Sequence, residues 1–257
     1  MILTRQGNKT NIAEKIYLQF PEHQTYIELF FGAGGMFFNR PLAANNICND
    51  SDGEVMNLWE QVKFNKDALI RELMNLPIHN GIWNKYKKER PEDKTLRAAL
   101  FLMYSNFGYM GNPGSLGFSA SCNYKDSILS KIDDTFRKIK DVLFMNEDFR
   151  SVLPKIKYRT DGEVERAFIY SDPPYHGTYD YKSGWKEKDT IDVFNVTFNS
   201  GIKAALSEFN SPFILDLAKS MNLNVMTIGE RNNMKNRRTE VLITNYIKSA
   251  TLFSYVS

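Results

Sequence analysis

The chain of 257 residues has few cysteines and no long apolar run. Cys48 and Cys122 are too few for a disulfide framework and lack the spacing of metal ligands, which predicts a reducing compartment and no bound metal. No stretch reaches the length of a membrane-spanning helix, and the N-terminus has no apolar core like that of a signal peptide. Internal repeats and low-complexity segments are also absent. These absences predict a soluble, cytoplasmic protein that does not bind membranes.

The charge balance is too even to indicate a partner. Thirty-three Lys and Arg against thirty Asp and Glu give a net charge of +3, which by itself says nothing about nucleic acid. Hydrophobic residues make up 42% of the chain, which excludes wholesale disorder. The length allows a substantial core in one large domain, or in one domain that carries an insertion.

The most informative segment follows a short apolar run at residues 167–170. This run is typical of a buried strand, and Ser171-Asp172-Pro173-Pro174-Tyr175 comes directly after it. Ligand crevices in open α/β sheets form at the carboxyl ends of strands, so Asp172 lies where a ligand is expected. The prolines fix φ and favour extended geometry before them, which holds the Asp172 carboxylate and nearby carbonyls as rigid acceptors. Tyr175 offers a flat face for a planar ring, so the segment suits the amine of an extruded nucleobase.

A glycine cluster follows an earlier predicted strand, Thr25 to Phe30. Gly32 and Gly34 let a ligand approach the backbone, and Asp50, at the tip of the next predicted strand, can hold the hydroxyls of a ribose. The third glycine of the dinucleotide fingerprint would fall at Phe37, so the cluster departs from that pattern. The sequence therefore predicts a nucleoside-binding turn, with a purely structural turn as the alternative.

Strand patterns lie near both ends of the chain, and helical patterns lie between them. Apolar residues at helical spacing continue from Gly53 to Leu143. Beyond residue 176 the sequence predicts a helix near Ile202 to Phe209, then strands near Phe213 to Leu215, Asn224 to Ile228, Val241 to Tyr246, and Leu252 to Tyr255. The predicted fold is α/β, with a twisted, mostly parallel sheet interrupted by a helical insertion at residues 56–150.

The Asp-Pro-Pro-Tyr motif and the glycine cluster before it resemble the Dam-type group (D12 class, alpha group) of S-adenosylmethionine-dependent DNA adenine methyltransferases of bacteria and phages. The resemblance covers nearly the whole chain. It implies a Rossmann-like sheet with one antiparallel strand, built from residues 1–55 and 151–257, and a target-recognition domain inserted at residues 56–150. It further implies a site-specific enzyme, monomeric or weakly dimeric, that methylates the N6 amine of a flipped adenine in double-stranded DNA. The catalytic residues implied are Asp172, Pro173, Pro174 and Tyr175.

The resemblance also implies S-adenosylmethionine as cofactor, with Asp50 on its ribose. Gly7-Asn8-Lys9 resembles an N-terminal motif whose lysine lies near the carboxylate end of the cofactor; without the family, Lys9 would be taken for a solvated surface lysine. Relatives usually carry an aromatic residue where this chain has Arg5. Asp148-Phe149 resembles the motif that contacts the adenine ring of the cofactor, and a plain strand-end acid is the alternative. The cofactor-binding residues implied are Arg5, Gly7, Lys9, Phe31, Gly32, Ala33, Gly34, Asp50, Asp148, Phe149 and Asp172.

A basic segment at residues 231–238 lies between two predicted strands. Its four cations and lack of acids predict an exposed loop that binds DNA phosphates, with a solvated hairpin as the alternative. Relatives also read bases through a hairpin that follows the segment Asn106 to Asn112. Residues 113–119 of this chain contain no arginine, the commonest partner of guanine, so the target sequence stays open. The predicted DNA-binding residues are Asn106, Asn112, Arg231, Lys235, Arg237 and Arg238.

Other functions stay open at this point. In the family, aspartate at position 172 favours adenine, whereas serine would favour the N4 amine of cytosine and asparagine a protein glutamine. Adenine in RNA and a catalytically silent DNA-binding relative are further alternatives. A nicotinamide oxidoreductase is disfavoured by Phe37 and by the double proline. In the blandest alternative, Asp172 only caps a turn.

Overall fold

The computed structural model describes residues 1–5, 7, 9–108, 124–176, 184–233 and 236–248, with the backbone alone for residues 80, 83, 87, 124, 231–233, 236 and 237. The chain divides into two compact units. Unit 1 comprises Met1–Thr10, Phe31–Leu42 and Asp50–Asn146, and unit 2 comprises Asn11–Phe30, Ala43–Asn49 and Glu147–Ser257. The division into a catalytic domain and a target-recognition domain at residues 56–150 remains a prediction.

The strands form a seven-stranded sheet. They are β1 (Thr25–Glu28), β2 (Asn45–Asn49), β3 (Leu143–Met145), β4 (Ala167–Ser171), β5 (Lys203–Phe209), β6 (Asn224–Asn233) and β7 (Asn236–Thr244), in the order β3-β2-β1-β4-β5-β7-β6. β1 is parallel to β2 and β4, and β4 is parallel to β5. β7 is antiparallel to β5 and β6, so among these pairs only β7 reverses direction. The predicted fold class, a mostly parallel Rossmann-like sheet with one antiparallel strand, is confirmed.

Along the chain, helices precede, separate and follow most of the strands. In unit 1 they are α2 (Gly53–Phe64), α3 (Lys66–Asn75), α4 (Asn80–Lys88), α5 (Lys94–Phe107) and α6 (Tyr124–Ile139); in unit 2 they are α1 (Ala13–Tyr17), α7 (Asp161–Glu165), α8 (Glu187–Phe198) and α9 (Pro212–Ser220). The carboxylates of Asp52 and Asp93 accept backbone N–H bonds at the starts of α2 and α5, as N-caps do. Within the part of the chain that the structure describes, no helix has both the length and the apolar character needed to cross a bilayer.

β4 is buried along its whole length. Its neighbours are β1 and β5, and a parallel strand covered on both faces favours continuous apolar residues. On one face the ring of Phe20 lies 4.5 Å from Phe168 and 5.4 Å from Tyr170 between centroids. On the other face the hydroxyl of Ser171 is hydrogen-bonded to that of Thr197 in α8 at 2.9 Å. These contacts fix the strand from which Asp172 emerges.

Two elements of unit 2 differ from the sequence prediction. Residues 202–209, predicted as a helix, contain β5, because a central place in the sheet overrides the helix propensity of alanine, leucine and glutamate. Residues 213–215, predicted as a strand, lie in α9. Ser211 caps this helix through Ile214 N and Pro212 occupies its first turn, a start signal already present in the sequence.

The basic segment also differs from its prediction. β6 continues to Asn233 and β7 begins at Asn236, so residues 231–233 and 236–238 of the predicted loop are instead paired strand ends, as the hairpin alternative has them. Cross-strand pairing matches Arg231 with Arg238 and satisfies the backbone in spite of the charge. The predicted strand at residues 252–255 lies outside the described residues.

Candidate active site

Asp172 stands at the carboxyl end of the buried strand β4 and is partly exposed. β1 and β4 are in register from Thr25 with Ala167 to Glu28 with Tyr170, and Leu29 N donates to Tyr170 O at 3.2 Å to continue the pairing. The carboxyl ends of the two parallel strands therefore lie at the same edge of the sheet. This is the edge at which ligands bind in open α/β sheets, so the predicted placement of Asp172 is confirmed.

Tyr175, at the other end of the motif, is 7% exposed. Its hydroxyl donates to Glu240 Oε1 at 2.6 Å, and its ring meets that of Phe209 at 4.6 Å and 85°. Burial, together with the nearby carboxylates of Asp172 and Glu240, raises the pKa of Tyr175 well above its ordinary value of 10.0, so the phenol remains protonated. Little of the ring is open to solvent within unit 2, and its use as a stacking face remains a prediction.

Two buried glutamates behind the motif were missed by the sequence analysis. Glu208 is fully buried, and its Oε1 accepts a hydrogen bond from His176 N at 2.7 Å. Glu240 is 2% exposed and accepts the Tyr175 hydroxyl. Each acid adjoins an apolar run in the sequence, which is a detectable signal, because buried acids are rare unless a partner holds them. Their partners became visible only once β5 and β7 were in place.

The glycine cluster of unit 1 forms a turn, as the sequence predicted. Gly32 and Gly34 have φ of +51° and +74°, the left-handed region that favours glycine. A Cβ at Gly34 would lie 2.6 Å from the ring of Phe38. The indole N–H of Trp59 donates to Gly32 O at 3.0 Å and ties the turn to α2. The turn is thus fixed by packing around it as well as by its own conformation.

Asp50 closes this turn. Its Oδ2 accepts a hydrogen bond from Gly32 N at 2.7 Å and its Oδ1 accepts one from Asp52 N at 2.9 Å. A carboxylate has about four lone-pair positions, so each oxygen keeps capacity for a further donor such as a ribose hydroxyl. Burial raises the pKa of Asp50 above its ordinary value of 3.8, while the charge of Arg5 opposes the shift. These acceptor oxygens fit the ribose hydroxyls of the predicted cofactor.

Lys9 and Arg5, near the N-terminus, both have partners in unit 1. Lys9 is 3% exposed, and its Nζ donates to Gly7 O at 3.2 Å. The alternative of a solvated surface lysine is therefore wrong. Arg5 forms an ion pair with Asp52 at 2.9 Å, and Asp52 is also the N-cap of α2. Arg5 thus belongs to the same charged group as Asp50.

The predicted contact with the cofactor's adenine divides into a buried ring and an exposed acid. Phe149 is 4% exposed, and its ring centroid lies 5.3 Å from that of Phe30 and 5.8 Å from that of Trp185. The side chain of Asp148 is 56% exposed and forms an ion pair with Arg150 at 3.1 Å. The aromatic residue can therefore offer apolar surface to a ring, whereas the aspartate is engaged in a local ion pair.

Of the predicted DNA-binding residues, the structure describes the side chains of Asn106 and Arg238. Asn106 donates to Ile2 O at 2.9 Å and to Leu102 O at 2.8 Å, and accepts the hydroxyl of Thr4, so it ties the N-terminus to α5. The guanidinium of Arg238 lies 5.3 Å from the centre of the Phe209 ring. Asn112 and Lys235, and the side chains of Arg231 and Arg237, lie outside the described residues. Their contact with DNA remains a prediction.

Among the residues with described side chains, no group of three or more His, Cys, Asp or Glu could hold a metal ion. The polar groups described above are hydrogen-bond acceptors and cations. They suit the recognition of an amine, a ribose and a carboxylate.

We expect the Asp50→Asn variant to bind S-adenosylhomocysteine about 10- to 100-fold more weakly, because an amide replaces one of the charge-assisted acceptors. In the unaltered protein, affinity should fall on acidification at a higher pH than for an ordinary aspartate, since its pKa is raised. This pH dependence should disappear in Asp50→Asn. The raised pKa has a separate effect on the free energy of unfolding. Ionised Asp50 lowers that free energy above its raised pKa, and the loss disappears below the ordinary pKa of 3.8. Calorimetric titration between pH 4.5 and 8 is the measurement; an unchanged affinity in the variant would remove Asp50 from the binding site.

Comparison with known proteins gives one family. Residues 6–234 match the model of the D12 class N6 adenine-specific DNA methyltransferases. The type II methyltransferase M1.LlaDCHI of Lactococcus lactis subsp. cremoris is 25% identical over 275 residues, covering 93% of each chain. The DNA adenine methylase of Escherichia coli K12 is 25% identical over 111 residues, covering 41% of this chain and 40% of that one. Among solved structures, an rRNA methylase from Streptococcus thermophilus covers 90% of this chain and 92% of its own, with 8% identity and a TM-score of 0.40.

Proposed function

Because this chain belongs to the D12 class N6 adenine-specific DNA methyltransferases, enzymes that methylate adenine in DNA, we propose that it transfers a methyl group from S-adenosylmethionine to the N6 amine of a flipped adenine in double-stranded DNA. The observation that carries the proposal is the Asp172-Pro173-Pro174-Tyr175 segment at the end of the central strand β4, with its far end bound by Glu240. A base inside a duplex cannot reach such a segment, so the adenine has to leave the helix.

Each unit, taken by itself, offers groups that suit a part of the cofactor. Asp50 and the turn at Gly32 and Gly34 suit the ribose, Lys9 suits the carboxylate, and the ring of Phe149 suits the adenine. When bound, S-adenosylmethionine supplies an electrophilic methyl group on a sulfonium. The chain supplies hydrogen-bond acceptors and the buried cation of Lys9 for this ligand.

The role of the motif is to align and polarise the target amine. The Asp172 carboxylate and the Pro173 carbonyl accept the two N–H bonds of N6, which concentrates electron density on the nitrogen. Acceptors that are already in place need no reorganisation during the reaction, which is the main source of catalysis in such a site. The proton lost from the nitrogen after transfer lies beside the Asp172 carboxylate, which can receive it.

We further propose that the β6–β7 hairpin binds DNA phosphates through its cations, and that the enzyme acts as a monomer or weak dimer. Phosphate contacts give affinity that falls with salt and carry no sequence information. We assign recognition of the target sequence to the region after α5, where residues 113–119 lack arginine, the commonest partner of guanine.

Methylome sequencing of a host that expresses the chain tests the proposal. We expect N6-methyladenine in one sequence context, absent from a host with the empty vector. Digestion of the same DNA followed by mass spectrometry separates N6-methyladenine from N4-methylcytosine. Tritiated methyl transfer to RNA and to protein covers the remaining alternatives. Label in RNA, in protein or in cytosine alone would replace the proposal, and no label in any polymer would leave a catalytically silent relative.

A further inference from the structure

The motif segment that leaves β4 has few backbone N–H groups. Pro173 and Pro174 have no N–H group, so of the four motif residues only Asp172 and Tyr175 can donate from the backbone. The near end of the segment is fixed by its continuation from β4. Its far end is held by contacts with other parts of unit 2.

Two strands provide that support beyond the end of β4. Ser171 pairs with Leu206, so Glu208 and Phe209 extend past β4 along β5. Glu208 Oε1 accepts His176 N at 2.7 Å, and its Oε2 accepts Phe209 N at 2.6 Å, which fixes the orientation of the carboxylate. The His176 ring also stacks on Phe213 of α9, 4.6 Å away.

Glu240 provides the second support. It lies opposite Phe209 in the β5–β7 register, and its Oε1 accepts the Tyr175 hydroxyl at 2.6 Å. A carboxylate only accepts hydrogen bonds, so the phenol has to donate toward β7 and the direction of the ring is set. The ring edge-to-face contact with Phe209 sets its tilt. Together these contacts leave Tyr175 one orientation.

We propose that Glu240 is a positioning residue for methyl transfer, acting on the target adenine through Tyr175, and that Glu208 fixes the adjoining turn at His176. The inference rests on the proposed function and adds two residues to its site. Burying two carboxylates is costly, and a structure retains them where their hydrogen bonds hold a specific geometry. Here that geometry is the far end of the segment that carries the amine acceptors.

A double-mutant cycle with Glu240→Ala and Tyr175→Phe tests the proposal, since the phenylalanine keeps the ring and removes only the hydroxyl. We expect each single variant to lose about 10- to 100-fold in kcat, with the affinity for S-adenosylhomocysteine unchanged, because only the alignment of the base is disturbed. If Glu240 acts through Tyr175, the double variant should be no slower than the slower single one. Glu240→Gln, which can still accept from the phenol, should recover most of the rate.

Two further measurements separate positioning from general stability. Fluorescence of 2-aminopurine at the target adenine reports whether the flipped base is held, and we expect a weaker increase in Glu240→Ala than in the unaltered enzyme. Glu187→Gln, at an exposed residue of α8, makes the same change of charge and should leave kcat and fluorescence unchanged. If Glu240→Ala does not fold, Glu240→Leu takes its place in the cycle, because leucine fills more of the buried space and cannot accept the phenol hydrogen bond.

Additive losses in the cycle, or an unchanged kcat in Glu240→Ala, would overturn the positioning role while the unaltered enzyme still methylates DNA. Failure of the proposed function looks different, because the unaltered enzyme itself would then label no DNA. A loss of melting temperature with no change in kcat would assign Glu240 to stability alone and also overturn the inference.

Discussion

The Asp172→Ala variant is expected to transfer methyl groups about a thousand-fold more slowly than the unaltered enzyme, and to keep most of its affinity for the cofactor. The side chain is the charged acceptor at the end of β4, and removing one fixed group that stabilises a reacting centre costs about 10²- to 10³-fold or more. Single-turnover transfer of a tritiated methyl group measures the rate, and calorimetry with S-adenosylhomocysteine measures the affinity.

Two variants control this experiment. Asp172→Asn keeps one acceptor oxygen and loses the charge, so its rate should lie between those of alanine and aspartate. Asp216→Ala removes an exposed carboxylate on α9 and should leave the rate unchanged. Full activity in Asp172→Ala would refute the assignment of the motif. Loss of cofactor binding in proportion to the rate would move Asp172 to the cofactor site alone.

The Gly34→Ala variant is expected to lower the free energy of unfolding by about 2–5 kcal/mol, the sum of left-handed strain and overpacking. Its Cβ would lie 2.6 Å from Phe38 and 3.0 Å from Phe31. Neither ring has room to move, because both are buried and pack against Trp59. Urea unfolding measures the change, and the displaced turn should also weaken cofactor binding.

Gly201→Ala is the matched control for this variant. Gly201 has a φ of +76°, close to that of Gly34, but its Cβ would meet nothing within 4 Å. It should cost only the conformational strain, about 1 kcal/mol. If both variants lost the same free energy of unfolding, the close contact with Phe38 would add nothing to the cost of Gly34→Ala. If Gly34→Ala bound cofactor normally, the turn would be structural only.

The sequence predicted the parts of the site that depend on local physics. The place of Asp172 follows from a buried apolar run that meets two prolines, and the turn at Gly32 and Gly34 follows from glycines directly after a strand. Each signal needs only neighbouring residues. Lys9, Asp148 and Phe149 were carried over from a family resemblance, and the roles of all the site residues remain predictions.

The parts that depend on distant pairing were not predicted. Assigning residues 202–209 to a helix hid the contact between Glu208 and His176, because a helix would not place that carboxylate beside the motif. The link between Glu240 and Tyr175 depends on the β5–β7 register, which no local pattern specifies. The contact of the Asn106 amide with Ile2 O is likewise a long-range contact that composition does not reveal, and the predicted role of Asn106 in DNA binding remains a prediction.

The order in which the two units occur along the chain has a consequence for synthesis. All of unit 1 precedes residue 147, whereas β1, at residues 25–28, pairs with β4 about 140 residues later. On the ribosome, β1 emerges long before its partner β4, and a long loop has to close before these two strands can pair. Nascent chains arrested shortly before residue 167 should therefore be the ones most prone to aggregation and most dependent on chaperones.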